Sequence, residues 1–124
     1  MTCTNIYKTA LSLLGETESN PGLDDYATRA PYLLTVITSR LAECSKLIDG
    51  RTVTVSDLTL NSAFPLADPL AACAAEMLAS MLIFDEAPDL AKTLMAQAEA
   101  DKPSVAKSES AAVDVGSIRE VYGV

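Results

Sequence analysis

The feature that most constrains this chain is its most apolar stretch, residues 68–84. Asp68 and Pro69 open it, and both are typical of a helix start, where free N–H groups need an acceptor and the first position needs no donor. Beyond them no glycine or proline interrupts the stretch. Outside its main apolar face, alanines make most of the remaining surface small and apolar, which predicts a core helix covered on more than one side. Its main apolar face has the three- and four-residue spacing of a helix, at Leu70, Cys73, Ala74, Met77, Leu78, Met81 and Leu82.

A membrane span is the alternative interpretation of the same stretch. A span needs about 20 apolar residues. This one is shorter, contains Glu76, and is followed at once by Asp85 and Glu86. We therefore expect a buried helix and no membrane partner, with small sides that suit a close neighbour from the same chain or from a second copy.

The charge of the chain is strongly acidic. Its 124 residues are enough for one domain with a modest core, and they carry a formal net charge of −8. No lysine or arginine lies between Arg51 and Lys92. Acidic residues populate that interval, at Asp57, Asp68, Glu76, Asp85, Glu86 and Asp89. Such a surface repels phosphate, so we expect no nucleic-acid binding through it, and solubility is the simplest role for the charge.

The side chains that usually carry catalysis are scarce. Histidine is absent, and the three cysteines, Cys3, Cys44 and Cys73, are widely spaced. This excludes the usual zinc patterns and a Cys-His nucleophile, and it is typical of a cytosolic origin. No glycine-rich phosphate loop occurs. We expect no catalytic residue, no metal and no cofactor, and hence no enzyme.

Two further groups of residues have both a functional and a structural interpretation. The acidic pairs, Asp24 with Asp25 and Asp85 with Glu86, stand at predicted helix starts or loops, where a carboxylate is favoured by the helix dipole. Tyr7, Tyr26 and Tyr32 either form a small binding cluster or lie at the edge of the core. The structural interpretation is the simpler one for both groups.

Three more helices are predicted around the central one. The first covers residues 4–14, with Thr4 as its cap and Gly15 after its end. The second runs from Asp24 or Asp25 to residue 49, with Gly50 as its stop. Pro31 lies inside it and either bends a continuous helix, which we favour, or separates a first turn. The last helix starts at residues 88–89, ends before residue 103, and forms an antiparallel hairpin with the central helix.

The stretch over residues 51–60 differs from the rest, because Thr52, Val53, Thr54 and Val55 alternate and are all β-branched. This pattern predicts a short strand or an extended segment. A lone strand has unpaired backbone groups, so it must form a hairpin or pair with another subunit.

The C-terminal stretch, residues 104–124, is predicted to be an extended arm beyond a helical domain of residues 1–103. Residues 104–112 are small and polar, and apolar residues then return. The arm either docks onto a partner or folds back on its own domain. Its candidate anchors are Val113, Val115, Ile118, Val121 and Tyr122. The predicted fold is thus mainly α, a small bundle of about four helices with a short β element and an extended C-terminal arm.

This layout resembles the head–tail adaptor, or connector, proteins of tailed bacteriophages and prophages. One part of the resemblance is the helix at residues 6–15 followed by the segment 26–34. A second part is residues 58–85, where Phe64, Pro65 and Leu66 lead into an alanine-rich helix that ends in Asp-Glu. The returning helix at residues 88–100 completes it.

The resemblance implies a structural virion protein of the neck, made in the host bacterial cytoplasm. Such proteins form a ring, commonly of about twelve copies, beneath the portal protein. The ring extends the DNA channel, through which DNA passes without sequence-specific binding, and presents a platform to the next neck or tail protein. The C-terminal arm would dock into the portal, and residues 52–60 would face a neighbouring subunit or the channel. The alternatives are another neck or tail-completion ring protein and a small acidic regulatory bundle of the cytosol.

Overall fold

The computed structural model describes residues 1–17 and 21–103, and four helices make up most of this part. They are α1 (Cys3–Leu13), α2 (Asp24–Asp49), α3 (Ala71–Ile83) and α4 (Pro88–Ala100). Single 3-10 turns at Pro21–Leu23 and Asp68–Leu70 precede α2 and α3. The predicted mainly α class with about four helices is confirmed. The predicted C-terminal arm, residues 104–124, lies outside the described residues.

Helix α3 is the centre of the fold, and α1, α2 and α4 all pack against it. From residue 73 to residue 83, Met81 alone is not fully buried. The prediction of a core helix covered on more than one side is therefore confirmed. No helix among the described residues is both long and apolar enough to cross a membrane.

Helices α3 and α4 form an antiparallel hairpin whose register is held by two buried hydrogen bonds. The Ser80 hydroxyl donates to the carbonyl oxygen of Ala91 at 2.6 Å. The Cys73 thiol donates to the carbonyl oxygen of Ala98 at 3.3 Å. The two contacts are separated by about two turns on each helix. Because the facing residues are small, the two backbones can approach closely.

Helix α2 runs without interruption through Pro31, so the interpretation as one continuous helix is confirmed. It ends where predicted, at Gly50, which has a left-handed backbone with φ of 75° and donates its N–H to the carbonyl of Lys46. Gly15 has a similar conformation beyond α1, with φ of 76°. Such a backbone strains residues that have a Cβ atom, which explains why glycine stands at both helix ends.

The predicted starts of α1 and α3 were wrong in detail. Thr2, and not Thr4, caps α1, and the Thr4 hydroxyl donates to the carbonyl of Leu60 instead. Backbone hydrogen bonds between residues 1–4 and residues 60–64 place the start of α1 earlier in the chain than predicted. The N–H groups of Cys3 and Thr4 donate to the carbonyls of Ser62 and Leu60, and the Phe64 N–H donates to the Met1 carbonyl at 2.8 Å. Asp68 makes no capping bond, because a 3-10 turn begins at this residue itself.

Candidate functional site

The most unusual part of the structure is the segment that links α2 to α3, residues 51–59. It is extended, but the predicted β element does not become a strand, and the hairpin alternative is wrong for the described residues. An isolated antiparallel bridge between Thr2 and Ala63 is the nearest approach to a sheet in this part of the chain. The physical reason is that the segment lies beside α2, and a helix has no free edge to pair with a strand.

The backbone of residues 52–57 has no hydrogen bond to any other described residue. The backbone of the segment is hydrogen-bonded only at its two ends. At one end the Arg51 N–H donates to the Asp49 carboxylate at 3.0 Å. At the other, the Leu58 N–H donates to the Thr35 hydroxyl at 3.2 Å, and that hydroxyl donates to the carbonyl of Pro31 at 2.9 Å. Thr35 thus holds the end of an otherwise unpaired segment against α2.

The predicted alternation along this segment is confirmed by the pattern of exposure. Val53 and Val55 are half-buried, whereas Thr52 and Thr54 are exposed. Val53 packs against the core together with Leu58 and Leu60 further along the chain. Val53 and Leu58 hold the segment against the core, while Thr52 and Thr54 lie at the surface.

A groove of about 680 Å³ lies between this segment and α2. We call it the α2 groove; its lining residues include Ala27, Pro31, Tyr32, Val36, Asp57 and Leu58. The side chain of Tyr32 is 76% exposed and that of Val36 is 43% exposed, which is high for apolar residues on a packed helix. Pro31 has no N–H, so it cannot donate to the carbonyl of Ala27, another residue of the groove. The α2 groove is thus an open apolar surface next to free backbone groups.

The three tyrosines do not share a surface. Tyr7 and Tyr26 are buried, as the core-edge interpretation predicted, and Tyr32 lines the α2 groove. The Tyr26 hydroxyl donates to the Glu86 carboxylate at 2.7 Å. Burial and this carboxylate raise the pKa of Tyr26 to about 12. The contact therefore holds the start of α2 to the turn after α3.

Arg29 reinforces the same junction. Its guanidinium lies over the Tyr26 ring, 5.6 Å from the centroid, and donates to the carbonyl of Leu82 at 3.0 Å. It also pairs with Asp25 at 2.9 Å. A positive charge at the C-terminal end of α3 is favoured by the helix dipole. Asp25 and Glu86, from the two acidic pairs of the sequence, are thus both engaged in structural contacts.

Glu76 is buried in α3 and only 6% exposed, although the sequence placed it among surface acids. That interpretation was wrong, because α4 covers this side of α3. Burial first, and then a hydrogen bond to the Asp101 carboxyl, raise the pKa of Glu76 to about 7. Its Oε2 atom has no hydrogen-bond partner. The two carboxyls join α3 to the turn after α4.

The cysteines are free thiols: Cys3 and Cys73 are buried and Cys44 is half-buried. Burial raises the pKa of Cys73 to about 11, which keeps it a thiol. In the described part of the chain, no three His, Cys, Asp or Glu residues are grouped in a way that could hold a metal ion.

The comparisons with known proteins add no relative. The chain matches no protein-family model, no curated protein and no solved structure.

The predicted anchors of the C-terminal arm, Val113, Val115, Ile118, Val121 and Tyr122, lie outside the described residues. Of the predicted site, the structure describes residues 52–55. They do not line the α2 groove, which the segment reaches only at Asp57, Leu58 and Thr59. Sequence reasoning missed the groove itself. Its available signal was Tyr32 and Val36, two apolar residues one turn apart and outside the main apolar face of α2.

Proposed function

We propose that this chain is a structural subunit of a tailed-phage virion, a head–tail adaptor that forms a ring beneath the portal. The ring extends the DNA channel and joins the head to the neck or tail. The observation that carries the proposal is the extended segment 52–57, whose peptide groups have no partner among the described residues. This feature supports a subunit that is completed by a neighbour, in agreement with the sequence resemblance to connector proteins.

Unpaired extended backbone is normally avoided on the surface of a monomer, because it recruits strands from other chains. Where it persists, it commonly serves as a pairing edge for a partner. In the proposal, Thr52, Val53, Thr54 and Val55 face the adjacent subunit or the channel. The exposed threonines are suited to contact with another chain, and Val53 keeps the segment attached to its own domain.

The charge of the chain is compatible with a channel wall. With a net charge of −8, the protein repels a passing phosphate backbone and does not bind it tightly. In the same proposal the arm, residues 104–124, docks into the portal through Val113, Val115, Ile118, Val121 and Tyr122. Removal of residues 113–124 should then block neck assembly.

The decisive experiment is quantitative mass spectrometry of purified phage particles, with copies of this chain counted against copies of the portal protein. A ratio of about one is expected for a ring matched to the portal. Half that ratio would favour the second candidate, a neck or tail-completion ring of lower symmetry. Absence of the chain from particles would refute both and leave a regulatory bundle of the cytosol.

A further inference from the structure

Two separate apolar surfaces of this chain are exposed. The first is the α2 groove, with Tyr32, Val36 and Leu58. The second lies where α3 meets α4, around a shallow cavity of about 180 Å³ lined by Phe84, Lys92 and Met95. We call it the α3–α4 patch. The Phe84 side chain is 57% exposed, although an aromatic residue at a helix end would normally be covered.

Different elements build the two surfaces, which determines the kind of assembly that they can support. A surface that meets a copy of itself gives a closed two-fold dimer. Two unlike surfaces that meet each other give a head-to-tail contact, and head-to-tail contacts generate rings when the rotation closes. The presence of a groove on one part of the subunit and an exposed aromatic residue on another favours the second arrangement.

The charges of the two surfaces are opposite. Asp57 stands at the edge of the α2 groove, and Lys92 lines the α3–α4 patch. Both are exposed, and neither forms an ion pair with another described residue. In the sequence, Lys92 is the only basic residue between Arg51 and Lys102. The α3–α4 patch thus offers an exposed phenylalanine and one positive charge, and the α2 groove offers an apolar surface with one negative charge at its edge. The two surfaces are complementary.

We infer that the α3–α4 patch of one copy of this chain docks into the α2 groove of the next copy. Phe84 packs against Tyr32 and Val36, and Lys92 pairs with Asp57. The offset contact of two aromatic rings and the burial of apolar area supply most of the stabilisation, and the ion pair fixes the orientation. The inference deepens the proposed function, because it names the surfaces through which the ring subunits would meet, but the contact itself does not require a phage particle.

Disulfide trapping tests the contact directly, because oxidation accumulates even weak and transient pairs. The full-length chain is prepared with Cys44→Ser, so that the half-buried native thiol does not compete. Val36→Cys and Phe84→Cys are then combined in this background. We expect the combined variant to form a ladder of disulfide-linked oligomers on a non-reducing gel. A mixture of the two single variants should give dimers and no longer species, because each chain then carries only one half of the contact.

The matched control replaces the groove cysteine with Asn5→Cys, an exposed position on α1, in combination with Phe84→Cys. A ladder no stronger than that of this control would overturn the inference. Efficient self-linking of Val36→Cys alone would overturn it as well, because it would indicate a two-fold contact. A disulfide formed within one chain would show that the two surfaces meet inside the subunit, which would equally contradict a contact between copies.

Charge reversal provides an independent measurement. Asp57→Lys and Lys92→Asp should each weaken self-association, measured by sedimentation at low salt, by about two- to fivefold. Asp57→Lys combined with Lys92→Asp should restore self-association. The control, Lys92→Asp combined with Asp68→Lys, has the same net charge as this double variant and should not restore it. Suppose that neither the ladder nor the rescue is seen, while the chain is found in virions at a ratio of about one to the portal protein. This result would refute the contact and leave the adaptor proposal standing. A ladder and a rescue in a chain that is absent from virions would support the contact between copies and refute the adaptor proposal.

Discussion

Replacement of Glu76 by glutamine should stabilise the protein above neutral pH and leave its stability nearly unchanged in acid. Glu76 is buried against Asp101, and its pKa in the folded chain is raised to about 7. In the unfolded chain the same carboxyl titrates at about 4.3. Between these two values the native state binds a proton that the unfolded state has released, so stability falls as pH rises and the loss is complete above the native pKa.

The size of the effect follows from the interval between the two pKa values. Each unit of pKa difference corresponds to about 1.36 kcal/mol, so the interval from about 4.3 to about 7 gives an upper limit of about 4 kcal/mol. Asp101 is exposed to solvent, which screens the repulsion between the two carboxylates. We therefore expect Glu76→Gln to gain about 1–3 kcal/mol at about pH 8, because glutamine can donate to Asp101 as the protonated glutamic acid does. For a domain of this size, each kcal/mol corresponds to about 4–8 °C in Tm.

The assay is urea unfolding followed by circular dichroism, with wild type and variant compared from about pH 4.5 to about pH 8. The control is Glu43→Gln, at an exposed position of α2, which removes the same charge from the acidic surface. The two variants separate a buried carboxyl from general charge repulsion. If Glu76→Gln and wild type keep a constant difference in unfolding free energy across this range, the reasoning about the buried carboxyl is refuted.

Three further changes test other parts of the structure. Ser80→Ala removes the buried hydrogen bond to the Ala91 carbonyl and should cost about 1 kcal/mol in chemical denaturation; an unchanged midpoint would contradict this. Gly50→Ala should cost about 1–2 kcal/mol through backbone strain alone, since no atom lies within 4 Å of the added Cβ, and a neutral result would show that the left-handed turn is dispensable. With a thiol reagent under native conditions, Cys44 should react first and Cys73 only as fast as the chain unfolds, which mass spectrometry of the labelled peptides would reveal.

The extent of α2 could be predicted from the sequence because the rules that determine it are local. Three- and four-residue spacing, acids in the first turn and Gly50 at the end all act within a few residues of one another. The continuation of α2 through Pro31 could be predicted too, because the apolar spacing persists on both sides of that residue. The start of α1 was wrong by contrast, because hydrogen bonds to residues 60–64, which are distant in sequence, decide where its first turn begins.

The candidate site could be predicted only in part, because contacts between residues that are distant in sequence decide its geometry. Alternation of threonine and valine predicts an extended backbone, but its pairing depends on whether another edge lies nearby, and the alternation carries no information about that. The α2 groove exists because Thr35 binds the Leu58 N–H across a long sequence separation. Glu76 was placed on the surface because its burial depends on the register of α4 against α3, which periodicity within one helix does not determine.

That register has an evolutionary consequence. Ser80 and Cys73 reach the carbonyls of Ala91 and Ala98 only because all four side chains are small, so a larger residue at any of them would push the helices apart. Substitutions there should be confined to glycine, alanine, serine and cysteine while exposed positions drift freely. A distant relative would then be recognised less by its percentage identity than by small residues two turns apart in each of two consecutive helices.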